Sequence, residues 1–295
     1  LVRLVESASD EVARLDALCA VAPAAVSEHL RLAAFVQLAA TPEGTPFAHD
    51  SLAAATIDTV HAALVPSDAA RWIHIASAEE QRARSGAPLT ASRVLGWMPE
   101  AGSADLAALD HELRPGGATR AVLLRAVSVA AMLRTRVPTY VPASDLVPAL
   151  ILCAAGNTDR LRLLPFAALD PAARAESLAA WDEGDEAPFA QLALAECARV
   201  ARAERQAVIA ALTGVPAEDA RLDTLGRAAI MARRALHVLR HSLGTTVPLL
   251  AAELACSRPA ASAALDRLIE LELAREITGR ARDRVFVWSV VQRPS

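Results

Sequence analysis

Apolar residues recur three and four apart along most of this chain, the spacing that lays one face of a helix against a core. Val12, Leu15, Leu18, then Val26, Leu30, Ala33, Ala34 and Val36 carry the pattern across residues 10–38. Residues 41–46, with Pro42, Gly44 and Pro46, interrupt it. A second helix is predicted over 51–64. Residues 83–117 are the least regular, holding Gly86, Pro88, Pro99, Gly102, Pro115, Gly116 and Gly117. Val122, Leu123, Ala126, Val127, Ala130 and Leu133 then predict a helix over 118–135. A break follows at 137–142, and Ser144 is expected to cap a buried helix over 146–154. Asp170 and Pro171 start another, and 187–212 reads as a long helix with arginines and glutamates on its outer side.

The pattern changes after residue 212. Residues 213–221 gather Gly214, Pro216 and the acids Glu218 and Asp219, the composition of a linker. Helices are predicted over 222–243 and 247–255. Ser257, Arg258 and Pro259 open a third, with Ala261, Ala264, Leu265, Leu268 and Ile269 as its apolar stripe. Residues 274–277 and 284–290 read as short strands around a turn at 278–283. Helix, helix, helix, strand, turn, strand is the order of a winged helix-turn-helix. The expected fold is therefore mostly α: a helical body over 1–212, a linker over 213–221 and a winged helix-turn-helix with a small β-hairpin over 222–295.

Composition supports the helical reading. Hydrophobic residues make up 54% of the 295, alanine prominent among them, and aromatics only 3%. There is no lysine, so every cationic contact is a forked guanidinium. Cys19, Cys153, Cys197 and Cys256 are dispersed, with no Cys-x-x-Cys pair, and read as small buried residues in a reducing cytoplasm. No signal peptide and no uncharged apolar run of about 18 residues is present, so no membrane partner is expected. No cofactor is expected either.

Charge divides the chain unevenly. Residues 221–295 hold twelve arginines against seven acids, hence +5, which leaves −9 on the remainder of a chain whose net charge is −4. A basic module on an acidic body suits double-stranded DNA as partner. The expected contacts are Arg258 and Ser262 at the start of the third helix, and Arg280, Arg282 and Arg284 on the turn. The competing reading is a module used for packing or dimerisation, since Asp266, Glu270 and Glu272 place acid on or just after the same helix.

Residues 253–288 resemble the winged helix that ends many Fic/Doc family proteins. Ser257, Pro259, Leu265, Leu268, Leu271, Leu273, Glu276, Thr278, Gly279, Arg280, Arg282, Arg284, Val285 and Phe286 fall in step with that pattern. Glu272 stands where the family has glycine, so the turn ahead of the wing is expected to differ. Upstream, Glu43 and Gly44 are similar to the family's inhibitory segment, residues 145–166 to the helix and loop after its active site, and Gly184-Asp185 to an acidic turn beyond. The resemblance implies a catalytic signature, His-Pro-Phe-x-Asp/Glu-Gly-Asn-Gly-Arg-x-x-Arg, at 133–144. Leu133 stands at its histidine, Pro138 and Tyr140 at its phosphate-binding glycines, and Ser144 at its last arginine. No histidine lies between His111 and His237, and Gly156-Asn157 is followed by Thr158 and Asp159. Nucleotidyl transfer needs a base for the target hydroxyl and a cradle of N–H groups for phosphate, and proline has no N–H.

The expectation is a DNA-binding transcriptional regulator whose Fic-like body is catalytically inactive, dimerises, or senses a small molecule or nucleotide. Glu43, Arg160 and Arg162 are the residues offered for such a pocket. A homodimer would set two wings on two half-sites. Two alternatives stand beside it: a nucleotidyl or phosphoryl transferase with an atypical site, and an antitoxin- or immunity-like interaction partner. His237 and His241, four apart on a helix, read as surface residues because two ligands seldom hold a metal. Trp72, Trp97 and Met98 read as core anchors. Gly116-Gly117 lacks phosphate-loop spacing.

Overall fold

The computed structural model describes residues 1–27, 30, 67–98, 102–113, 121–137, 141–155, 169–242, 244–280 and 282–289. They are mostly helical, with one small three-stranded antiparallel sheet. The helices are α1 (Val2–Val21), α2 (Ser67–Arg84), α3 (Ala91–Gly96), α4 (Ser103–Leu113), α5 (Val122–Arg136), α6 (Val141–Ala154), α7 (Pro171–Asp182), α8 (Ala187–Asp223), α9 (Ala229–His241), α10 (Val247–Glu253) and α11 (Arg258–Glu270). The strands are β1 (Thr245–Thr246), β2 (Ala274–Glu276) and β3 (Val285–Trp288). Among the described residues no helix is long and apolar enough to cross a membrane. These residues form two compact units, one within 1–17 and 68–204, the other within 18–30 and 205–289.

In the first unit α5 lies along α6, with α4 and α7 also against α5. Residues 126–131 of α5 and 143–153 of α6 are buried without a break. Helices apolar on every side belong in a core, and their alanines let backbones approach closely. Trp72, Trp97 and Met98 are buried, as anchors should be. The Arg71 guanidinium donates to the Trp97 carbonyl at 2.8 Å. Asp170 caps α7 by accepting from the Ala173 N–H at 2.8 Å, with Pro171 in the first turn, as its sequence predicts.

Several expected boundaries moved. Residues 83–117, expected to be irregular, contain α3 and α4. Ser144 does not cap a helix. Helix α6 starts at Val141, and Ser144 is buried inside it. Pro142 falls in the first turn, which costs no hydrogen bond, and Pro148 lies in the helix interior. The stretch 213–221 is helical within α8, Pro216 included. Val208, Ala211, Val215, Glu218 and Leu222 face inward at helical spacing while Pro216 is exposed, so burial of that stripe outweighs the poor propensities. The chain breaks instead at 224–228, where a short 3-10 turn over Gly226–Ala228 leads into α9.

In the second unit α9 and α10 both pack on α11, and β3 packs against α9. Strand order is β1-β3-β2, with Thr245 opposite Phe286 and Ala274 opposite Trp288. Val285, Phe286, Val287 and Trp288 are all fully buried, as a central strand covered on both faces requires. Ala261, Ala264, Leu265 and Leu268 form the buried stripe of α11. Ile269, expected in that stripe, is only half-buried.

Candidate nucleic-acid interface

Helix α11 opens as its sequence predicts. The Ser257 hydroxyl accepts from the Ala260 N–H at 3.3 Å, and Pro259 occupies the first turn, where its missing N–H would have had no partner. Arg258 is thereby held at the helix start, and it is exposed. Ser262 follows one turn on, half-buried, and Asp266 one turn beyond that, exposed. The helix closes in a Schellman motif. The Glu272 N–H donates to the Ile269 carbonyl at 2.9 Å and the Leu273 N–H to the Leu268 carbonyl at 2.8 Å. This requires a left-handed residue, and Glu272 has φ of 58°. Glu272 thus takes the left-handed position although it is not glycine.

The turn between β2 and β3 is organised by one carboxylate. Glu276 Oε1 accepts from the Thr278 N–H at 2.6 Å, from the Thr278 hydroxyl and from the Gly279 N–H at 3.0 Å. The Thr278 hydroxyl oxygen in turn accepts from the Val285 N–H at 3.3 Å, across the neck of the turn. Gly279 takes φ of 62°, where a side chain would be strained. So Glu276, Thr278 and Gly279 shape the loop, and the arginines after them are what it displays.

Those arginines divide into two kinds. Arg280 and Arg282 are exposed and, like Arg258, have no ion-pair or hydrogen-bond partner among the described residues. Arg284 is turned back. Its guanidinium lies 4.8 Å from the Phe286 ring centroid and 3.9 Å from Asp266 Oδ1. The Asp266 carboxylate also takes the Ser262 hydroxyl at 3.5 Å. A guanidinium stacked on an aromatic face and paired with an acid is a tether between the turn and α11.

Behind this surface a buried acid ties the unit together. Glu218, on α8, receives Arg240 of α9 at 2.6 Å and the Trp288 indole N–H of β3 at 3.1 Å. Arg240 also reaches Asp219 at 3.1 Å and lies 5.6 Å from the Trp288 ring centroid. No local signal marks Glu218, because its partners are distant in sequence.

The remaining sequence candidates are placed as follows. Glu43, Arg160 and Arg162 lie outside the described residues. Leu133 is buried near the end of α5, and Ser144 is buried in α6. Beside them Arg134 donates to Asp145 at 2.7 Å, a pair almost wholly out of water. Burial raises the Asp145 pKa above its usual value despite the nearby Arg134 charge. A cleft of about 390 Å³ in the same unit includes Met132, Thr135, Arg136 and Trp181, which sequence reading missed. Glu112, Asp182 and Glu186 line it against the single Arg136, so it disfavours phosphate. His241 Nδ1 bonds the His237 carbonyl at 2.8 Å, and no group of three metal-ligating side chains occurs among the described residues. None of the four cysteines forms a disulfide; Cys19, Cys153 and Cys197 are buried and Cys256, expected to be buried too, is half-buried. Burial pushes the Cys197 thiol up to about 12, which removes it as a nucleophile at neutral pH.

No protein-family model matches this chain, and no curated protein matches it.

Proposed function

We propose that the chain is a DNA-binding regulator whose C-terminal unit acts as a winged helix-turn-helix on double-stranded DNA. In this reading α11 enters the major groove, and the 278–284 turn is a wing that grips the phosphate backbone. The single observation that carries it is the pair Arg280 and Arg282, exposed and without partners among the described residues, on a turn whose shape is fixed by Glu276. An internal structural role would have paired them, as it pairs Arg284 and Arg240. Arg258, exposed at the start of α11, adds a third cation without a partner among the described residues. The helical remainder is proposed to be a Fic-like body without that family's chemistry, serving to pair two copies or to sense a ligand. What supports the loss of chemistry is Leu133 at the base position and proline at a cradle position.

Arg282→Ala tests the wing. Each phosphate contact removed flattens the dependence of log K on log salt by about 0.9. The variant should bind any duplex more weakly and show a slope lower by about that amount. A slope equal to that of the unaltered protein would remove the wing from the interface.

A further inference from the structure

Most of what α11 shows to solvent is uncharged or acidic, which is unexpected for a helix meant to approach polyphosphate. Its exposed residues after Arg258 and Pro259 are Asp266 and Glu270. The two acids differ. Glu270 has no partner among the described residues, whereas Asp266 is held from two sides. The Ser262 hydroxyl reaches Oδ2 at 3.5 Å, and the Arg284 guanidinium stands 3.9 Å from Oδ1. Arg284 is itself fixed, stacked 4.8 Å from the centroid of the Phe286 ring on the buried strand β3. Both distances are long and leave acceptor capacity on each oxygen. The side chain of Asp266 is still 52% exposed, so an outside donor can reach it.

Resting on the DNA-binding reading above, we propose that Asp266 is the residue by which this helix discriminates base sequence. It does so by accepting a hydrogen bond from the exocyclic N4 amine of a cytosine in the major groove. An ionised carboxylate only accepts, and in the major groove the donors are cytosine N4 and adenine N6. Adenine presents its acceptor N7 beside N6, which repels a carboxylate, whereas cytosine offers the amine alone. Arg284 has two effects here. It fixes the direction of the acid, and its charge offsets the repulsion between Asp266 and nearby phosphates. That accounts for one wing arginine turned inward while its two neighbours point to solvent. Ser262, previously expected to touch DNA, becomes a positioning residue for the acid.

The test is selection from a randomised duplex pool with the full chain and two variants, Asp266→Asn and Asp266→Ala. Asp266 is exposed, so both variants should unfold at the temperature of the unaltered protein. The unaltered chain should enrich a C·G pair at one position. Asp266→Asn should move that preference to A·T, because an amide matches adenine N6 and N7 together. Asp266→Ala should lose roughly tenfold in discrimination at that position. It should also bind unrelated duplex more tightly, since an acid has left the interface. A merely structural Asp266 would not exchange one base preference for another. Identical preferences in all three proteins, or duplex binding without any preference, would overturn the role of Asp266 and leave wing binding standing. Failure of the unaltered chain to bind any duplex would overturn the DNA-binding reading, and this inference with it.

Discussion

In the unit that includes residues 68–204, helices α2 and α7 end at Gly86 and Gly184, with φ of 78° and 95°. In the other, α10 and α11 end at Ala255 and Glu272, with φ of 49° and 58°. The hydrogen bonds are the same at all four ends. The left-handed residue donates to the carbonyl three before it, and the next residue donates to the carbonyl five before it, at 2.8–3.2 Å. Only the residue types differ. Glycine takes this conformation freely, whereas a residue with a Cβ is strained by about 1 kcal/mol. The second unit thus carries backbone strain ahead of α11 and behind it, where the proposed DNA-facing helix is joined to its neighbours.

The buried ion pairs of the two units differ as well. Asp145 has Arg134 as its hydrogen-bonded partner, in a surround of alanine and leucine. Glu218 satisfies an arginine and an indole N–H together. Removing the second acid should therefore have the largest consequence. Glu218→Ala orphans the Trp288 N–H in a fully buried strand and leaves Arg240 with Asp219 alone. The expected loss is about 3–5 kcal/mol in chemical denaturation of the second unit. A loss under about 1 kcal/mol would mean that Trp288 and Arg240 find other partners.

The Arg134–Asp145 pair sharpens the comparison because, among the described residues, no third group is hydrogen-bonded to Asp145, although the Arg174 charge also acts on it. Arg134→Met alone leaves a buried carboxylate and should cost about 3 kcal/mol, while Arg134→Met with Asp145→Leu should come out near neutral. The same double replacement at Glu218 and Arg240 would still strand the Trp288 N–H. The acid also has a pH signature. Its folded pKa lies above the ordinary 3.8 because burial disfavours the charge. Between those two values the folded state holds a proton that the unfolded state has released, so stability falls as pH rises through that window. The gap in stability between the unaltered protein and Asp145→Asn should therefore shift in favour of the unaltered protein as the solution is acidified towards 3.8. A gap constant from neutral pH to 4 would show that Asp145 ionises as freely in the folded state as outside it.

How legible each unit was in the sequence follows from the range of the interactions that shape it. The ends of α11 and the β2–β3 turn rest on neighbours: Ser257 caps Ala260, and Glu276 gathers the N–H groups of Thr278 and Gly279. Such contacts appear as short motifs, and the elements there fell within a residue or two of expectation. The 213–221 segment did not, because Gly214 and Pro216 are breakers only where nothing else decides. Here Val208, Ala211, Glu218 and Leu222 hold the helix to its core. Strand β1, two residues long, exists only because β3 pairs with it. Asp266 was visible as an acid in the wrong place, but its restraint by Arg284 was not, since that depends on how β3 returns beside α11.

The smallest effect is the one that returns to the helix ends. Glu272→Gly removes a Cβ from a left-handed residue and should stabilise the second unit by about 1 kcal/mol, less the entropy a glycine returns to the unfolded chain. Gly184→Ala makes the reverse change. A Cβ there meets nothing within 4 Å, so its cost is conformational alone, about 1 kcal/mol. The two substitutions are thus a matched pair with opposite signs, read by thermal unfolding. Strain at residue 272 has a further consequence if α11 works as proposed. Relaxing it leaves Arg258, Ser262 and Asp266 in place, because the buried stripe and the Ser257 cap fix them, so duplex affinity should stay within about twofold while stability rises. A Glu272→Gly protein that is more stable but binds duplex tenfold more weakly would show instead that the strained end helps set the angle between α11 and the wing.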